Sequence, residues 1–268
     1  MIFSSVVKRD FLESGILRTH ENHKSVRAED SRVFLLPRIP LIEDLTKGSI
    51  PPGSNILVEF DPASQWYNAM VTIAAGWLRT GGSVSYLAFS RPPDDIRSQL
   101  RQFGLDTEEL ERNDRLWITD FYSASMGQKS REKFSTESLK VADLSLWVAR
   151  EAMADLPAPE FLIIDDNNSV LDRFNAERNW VEFLLSRPIP MTRQRQMTNL
   201  HGIIEGIQSN WTYKQLEAAV DGIVDFKVDE VNEERRTMMG IRHMRNVAFD
   251  SRWHSLKIGE NFEITLEM

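Results

Sequence analysis

The feature that most constrains this chain is a repeating order of short apolar runs and longer amphipathic stretches. NILVE (55–59), SVSYLAF (83–89), RLWITD (115–120) and FLIID (161–165) each have the length of one strand and carry few polar residues. Such near-continuous runs mark strands buried on both faces rather than strands with one wet side. Residues 65–79, 94–103, 138–156, 175–186 and 213–220 have the spacing of helices, and 201–207 reads as a further strand. Pro92 and Pro93 stand at the start of the second of these helices, where a missing N–H costs nothing. Strands alternating with helices imply βαβ units, hence a parallel sheet covered on both sides.

From Gly222 the pattern changes. Residues 222–231, 237–244, 253–258 and 262–266 read as strands joined by short turns, with no helix between them. An antiparallel extension at one edge of the sheet accounts for this simply. No linker separates it from the rest, so residues 36–268 are expected to form one α/β domain, preceded by a polar lead-in over 1–35. The composition allows it: 41% of the 268 residues are hydrophobic and 27% are charged.

Other totals exclude functions. The net charge of -8 argues against non-specific binding to nucleic acid or to an anionic membrane. The chain has no Cys, so thiolate zinc sites and Cys nucleophiles are ruled out. No apolar run approaches the ~20 residues of a membrane span, and the first apolar stretch is too short for a signal-peptide core. A cytoplasmic location is expected.

The stretch VEFDPASQWYNAM (58–70) sits where a strand turns into a helix, the usual place for a phosphate-cradling loop. Laid on the template G-x-x-x-x-G-K-[ST], its fixed positions are Phe60, Gln65, Trp66 and Tyr67, with Asp61, Ala63 and Ser64 inside the loop. Phe60 and Gln65 replace both glycines, and a left-handed backbone there would cost roughly 1–2 kcal/mol per residue. Trp66 removes the cation, and Tyr67 is too large for the small hydroxyl that holds Mg²⁺. Three aromatic rings are expected to fill this space rather than leave it open.

The order of motifs resembles the KaiC-like branch of the RecA-type ATPases, including its single-domain archaeal members. PLIEDLTKGSIPPGSNILVEFDPAS is similar to that family's entry into its phosphate loop. TGGSVSYLAFSRPPDDIRSQLRQFGLD, AVDGIVDFKVDE and MRNVAFDSRWHSLKI resemble its second strand, a late strand and its tail. The resemblance covers about 38–266. It implies a RecA-like three-layer sandwich, with ATP held between subunits of a ring.

Carried over position by position, the family's loop Lys and Thr fall on Trp66 and Tyr67. Its paired glutamates, which activate water, fall on Ser90 and Arg91. The acid ending the FLIID strand is retained as Asp165, and the trans-acting basic pair of the tail falls on His243 and Arg245. The expectation is therefore a catalytically inactive relative, a regulatory or scaffold subunit with no catalytic residue, metal or cofactor of its own. It would self-associate or join a hetero-ring with a related active ATPase, an idea supported by Arg245 having no obvious partner within its tail.

Two rivals are kept. One is an ATP-binding or weakly hydrolysing enzyme that takes ATP and Mg²⁺ through Arg91, Asp165 and a neighbour's Arg245. The other is a DNA-binding accessory protein using 191–199 (MTRQRQMTN), read as a polar loop. Asp165 and Asp166 are otherwise expected to cap the turn that follows them, completed by Asn167 and Asn168. His201, His243 and His254 lack metal-ligand spacing and are read as structural.

Overall fold

The computed structural model describes residues 38–145, 160–168, 177–231 and 234–267. The expected lead-in over 1–35 lies outside them, as do most of the helix expected at 138–156 and the first two residues of the one expected at 175–186. Helical backbone in the former begins at Val141.

The first strand, β1 (Asn55–Phe60), is buried at all six positions and leads into α1 (Trp66–Arg79). Then follow β2 (Val84–Ala88), α2 (Pro93–Gln102), α3 (Thr107–Arg112), β3 (Leu116–Asp120), the single turn α4 (Tyr122–Ser125) and β4 (Phe134–Ser135). After β5 (Phe161–Ile164) come α5 (Glu177–Ser186), α6 (Pro188–Arg195), β6 (Thr198–Ile204) and α7 (Asn210–Ala219). The chain ends in β7 (Gly222–Val231), β8 (Glu234–Met244), β9 (His254–Ile258) and β10 (Ile264–Leu266).

Among the described residues these strands form one sheet in the order β10-β9-β8-β7-β1-β6-β5-β2-β3-β4. Pairings from β7 through β4 are parallel, and those from β7 to β10 are antiparallel. The expected parallel sheet with an antiparallel C-terminal extension is thus present. Alternate residues of β1 face opposite layers. Ile56, Val58 and Phe60 join the core under α1, α2 and α3, while Leu57 joins the core under α5 and α7. This is the three-layer α/β arrangement of RecA-like proteins.

Local signals explain the elements and also the departures. In α1 a glycine interrupts an otherwise good helix, because a Cβ on Gly76 would lie 2.2 Å from the Pro40 ring. α3 was not anticipated from its run of charges; its start is set by Asp106, whose carboxylate accepts the Glu109 N–H at 3.0 Å. The expected loop at 191–199 is instead the end of α6 and the start of β6. Pro188 and Pro190 suggest a loop, but both fall in the first turn of α6, where N–H groups have no helical partner anyway. Gln196, left-handed at φ 58°, ends the helix. β6 accordingly starts three residues before the expected strand, with Thr198 and Asn199 buried.

Candidate functional site

In open α/β sheets ligands bind across the C-terminal ends of the strands. Here that edge is formed by the β1–α1 turn, the β2–α2 turn and the residues just after β5. The sheet order places β6 between β1 and β5, so any group joining the first and last of these must cross β6.

Trp66, the first residue of α1, makes that crossing. Its side chain is fully buried, with ring centroids 5.7 Å from Phe60 of β1 and 5.3 Å from Phe226 of β7. Its indole Nε1–H donates to the Asp165 carbonyl, after β5, at 3.1 Å. The crossing is open because the β6 residue beneath it is Gly202. A Cβ there would lie 2.9 Å from the indole nitrogen and 2.3 Å from the Asp165 carbonyl oxygen. One side chain thereby links β7 and β1, passes over β6 and reaches the residue that follows β5. Tyr67 packs edge-on against Phe60 at 5.5 Å.

The β1–α1 turn satisfies part of its own backbone. The Asp61 carboxylate accepts the Ala63 N–H at 2.7 Å, and the Asp61 carbonyl accepts the Ser64 N–H at 2.8 Å. A carboxylate of the chain itself thus takes an amide that an anion would otherwise receive. Gln65 accepts from Asn68 Nδ2 at 2.7 Å.

Asp165 is buried and does not cap the turn that follows it, contrary to expectation. Its carboxylate reaches sideways to the β2–α2 turn. It accepts the Phe89 N–H at 2.8 Å, the Ser90 N–H at 3.2 Å and the Ser90 hydroxyl at 2.6 Å. Burial pushes its pKa up to about 6, against the lowering effect of these three donors. Asp166 does act as foreseen, accepting the Asn168 N–H at 2.8 Å. Asn167 instead donates its side chain to the Gly202 carbonyl at 2.8 Å.

Arg91 returns the link to α1. Its Nη2 donates to the Tyr67 carbonyl at 2.9 Å and its Nη1 to Gln99 Oε1 at 3.0 Å. Gln99 Nε2 donates in turn to Asn68 Oδ1 at 2.9 Å. The Tyr67 phenol is held well above its usual pKa by burial and by the charges of Asp166 and Asp165. It stays a neutral hydroxyl at ordinary pH.

The structure therefore brings together Phe60, Asp61, Ala63, Ser64, Gln65, Trp66, Tyr67, Ser90, Arg91 and Asp165. His243 and Arg245 lie elsewhere, at the end of β8 that pairs with the start of β7. Arg245 does have a partner in its own chain, Asp221 Oδ1 at 3.0 Å, because Asp221 precedes β7 and faces the end of β8. Four contributors escaped the sequence reading: Asn68, Gln99, Gly202 and Phe226. A glycine inside the apolar strand TNLHGII was the available signal for a close approach. The other three are visible only once helix and strand are packed together.

A profile of the family described as "ATPase: KaiC" matches residues 38–266, most of the chain. The chain belongs to the KaiC ATPase family. A UPF0273 protein of Aeropyrum pernix is 24% identical over 228 residues, covering 82% of this chain and 88% of that protein. One from Methanocaldococcus jannaschii is 24% identical over 251 residues, covering 85% and 92%. A Thermotoga maritima relative is 20% identical, covering 82% and 90%. The crystal structure of a KaiC-like protein from Pyrococcus horikoshii superposes with a TM-score of 0.67 at 20% identity, covering 87% of this chain and 97% of that one. That likeness supports the fold.

Proposed function

We propose that this member of the KaiC family is catalytically inactive and serves as a regulatory or scaffold subunit. The observation that carries the reading is the engagement of Trp66, at the position of the family's phosphate-loop Lys, with the Asp165 carbonyl. The Asp165 carboxylate, the one retained acid, is meanwhile taken by three donors of the β2–α2 turn. Ser90 and Arg91, at the positions of the water-activating glutamates, offer no base near neutral pH. A phosphate loop works through glycine-lined amides, a Lys and a small hydroxyl on the metal. This chain has an aromatic cluster in place of all three, so the altered loop is a packing element.

The association expected of such a subunit, with itself or with an active relative, rests on the family likeness alone, since Arg245 is paired with Asp221. For the DNA-binding alternative, 191–199 is not the polar loop expected: Arg193 stands exposed on α6, while Thr198 and Asn199 are buried in β6. Among the described residues no helix is long and apolar enough to cross a membrane.

Titration calorimetry with Mg-ATP, together with a phosphate-release assay, tests the proposal. The expected result is no turnover. A micromolar dissociation constant with measurable hydrolysis overturns it.

A further inference from the structure

The contacts at the strand ends form a closed circuit. It leaves the first turn of α1 through the Trp66 indole, which donates to the Asp165 carbonyl at 3.1 Å. From there the Asp165 carboxylate gathers the Phe89 and Ser90 amides and the Ser90 hydroxyl. The next residue, Arg91, donates to the Tyr67 carbonyl at 2.9 Å and, through Gln99 and Asn68, reaches Gln65. The circuit thus ends in the turn of α1 where it began. Three loops that a small molecule ordinarily bridges in an open α/β sheet are bridged here by side chains.

We propose that the Trp66 indole is a built-in ligand: by closing this circuit it holds the strand-end edge in one arrangement without any small molecule. The inference rests on the reading of this edge as one that no longer turns over nucleotide, and adds how the edge stays ordered. Two features separate a ligand-like role from simple core filling. The indole spends its one polar atom on a backbone carbonyl across an intervening strand, and Gly202 leaves open the path it needs. The carbonyl it contacts belongs to the residue whose carboxylate positions the β2–α2 turn. Removing the N–H should therefore be felt at Phe89 and Ser90, in a different loop. Linked hydrogen bonds in a water-poor interior transmit such losses to one another.

The test uses the full chain carrying Trp66→Phe or Trp66→Gly, with backbone hydrogen exchange followed over Phe89 and Ser90. Trp66→Phe retains an aromatic ring but lacks the N–H. The expected result is cooperative unfolding as in the wild type, with exchange at Phe89 and Ser90 about five- to tenfold faster, the loss of one buried hydrogen bond. Trp66→Gly leaves a slot shaped for indole. Added indole should return exchange at these amides to the wild-type rate, whereas indene, of the same shape without the N–H, should not. Wild-type exchange at Phe89 and Ser90 in Trp66→Phe overturns the proposal, as does full restoration by indene. If Trp66→Gly does not accumulate as folded protein, Trp66→Phe decides alone. ATP turnover by the wild-type chain would refute the inactive reading through a separate measurement, leaving these exchange rates to judge the circuit.

Discussion

His201 and Gly202 are neighbours on β6, yet they face opposite layers and solve opposite problems. Gly202 looks toward α1 and contributes no side chain, which lets an indole cross to Asp165. His201 looks toward α6 and the layer of α5 and α7, inside a buried polar cluster. Its Nε2 lies 2.8 Å from Asn199 Nδ2 and 3.1 Å from Asn55 Oδ1, and Thr192 of α6 donates to that same oxygen at 3.0 Å. On the Gly202 side one polar atom of the ring is buried and it is paired. On the His201 side the ring Nδ1 and Asn199 Oδ1 are buried with no hydrogen-bond partner. Apolar filling of a strand crossing requires the right volume; polar filling requires complete pairing and is sensitive to pH where pairing is incomplete.

Adding a methyl should break the Gly202 side most severely. Gly202→Ala places its Cβ against the backbone carbonyl of Asp165, a main-chain atom directly after β5 that cannot swing aside as a side chain can. A loss of about 3 kcal/mol is expected in urea unfolding, and a loss under 0.5 kcal/mol would show that the crossing is looser than described. The acid response sharpens the other side. Burial holds the His201 pKa down to about 3, against about 6.5 in an unfolded chain. The unfolded state therefore binds the extra proton, and stability present above pH ~6.5 should drain away as pH falls toward 3. Asp165 acts in the opposite direction: its pKa of about 6 lies above the ~3.9 of an unfolded Asp. Its contribution is present below pH ~4 and is lost as pH rises through 6. His201→Gln should therefore flatten or reverse the decline in stability between pH 6.5 and 4; an unchanged decline would assign the acid lability to other groups. The smallest effect is expected at Arg245→Ala. Its side chain is 48% exposed, and surface pairs of this kind contribute about 0–1 kcal/mol. A larger loss in thermal unfolding would mean that the Asp221 contact supports the start of β7 more firmly than its exposure implies.

The regular parts of the fold were legible because their signals are local. β1, β2, β3 and β5 are mostly apolar short runs, and α1 carries its apolar residues over fourteen positions, too long a stretch for a strand. The extension β7 to β10 was legible from the loss of helical spacing after Gly222. α3 and α6 were missed where short helices carry charge or proline, so that the capping residue and the first-turn position matter more than periodicity. At the candidate site, the size of Phe60, Trp66 and Tyr67 made an aromatic cluster legible, and the rings of Trp66 and Tyr67 do pack on Phe60.

By itself, then, the sequence determined the layer architecture and the chemical character of the β1–α1 turn, since both follow from residue types over short windows. Which groups the turn meets was decided only by tertiary structure. Trp66 and Asp165 are 99 residues apart and meet because β6, which arrives later in the chain and lies between β1 and β5, presents no side chain at Gly202. That position of β6 fixes Gly202 under the indole and His201 under α6, and the period of two along a strand sends the two to opposite faces.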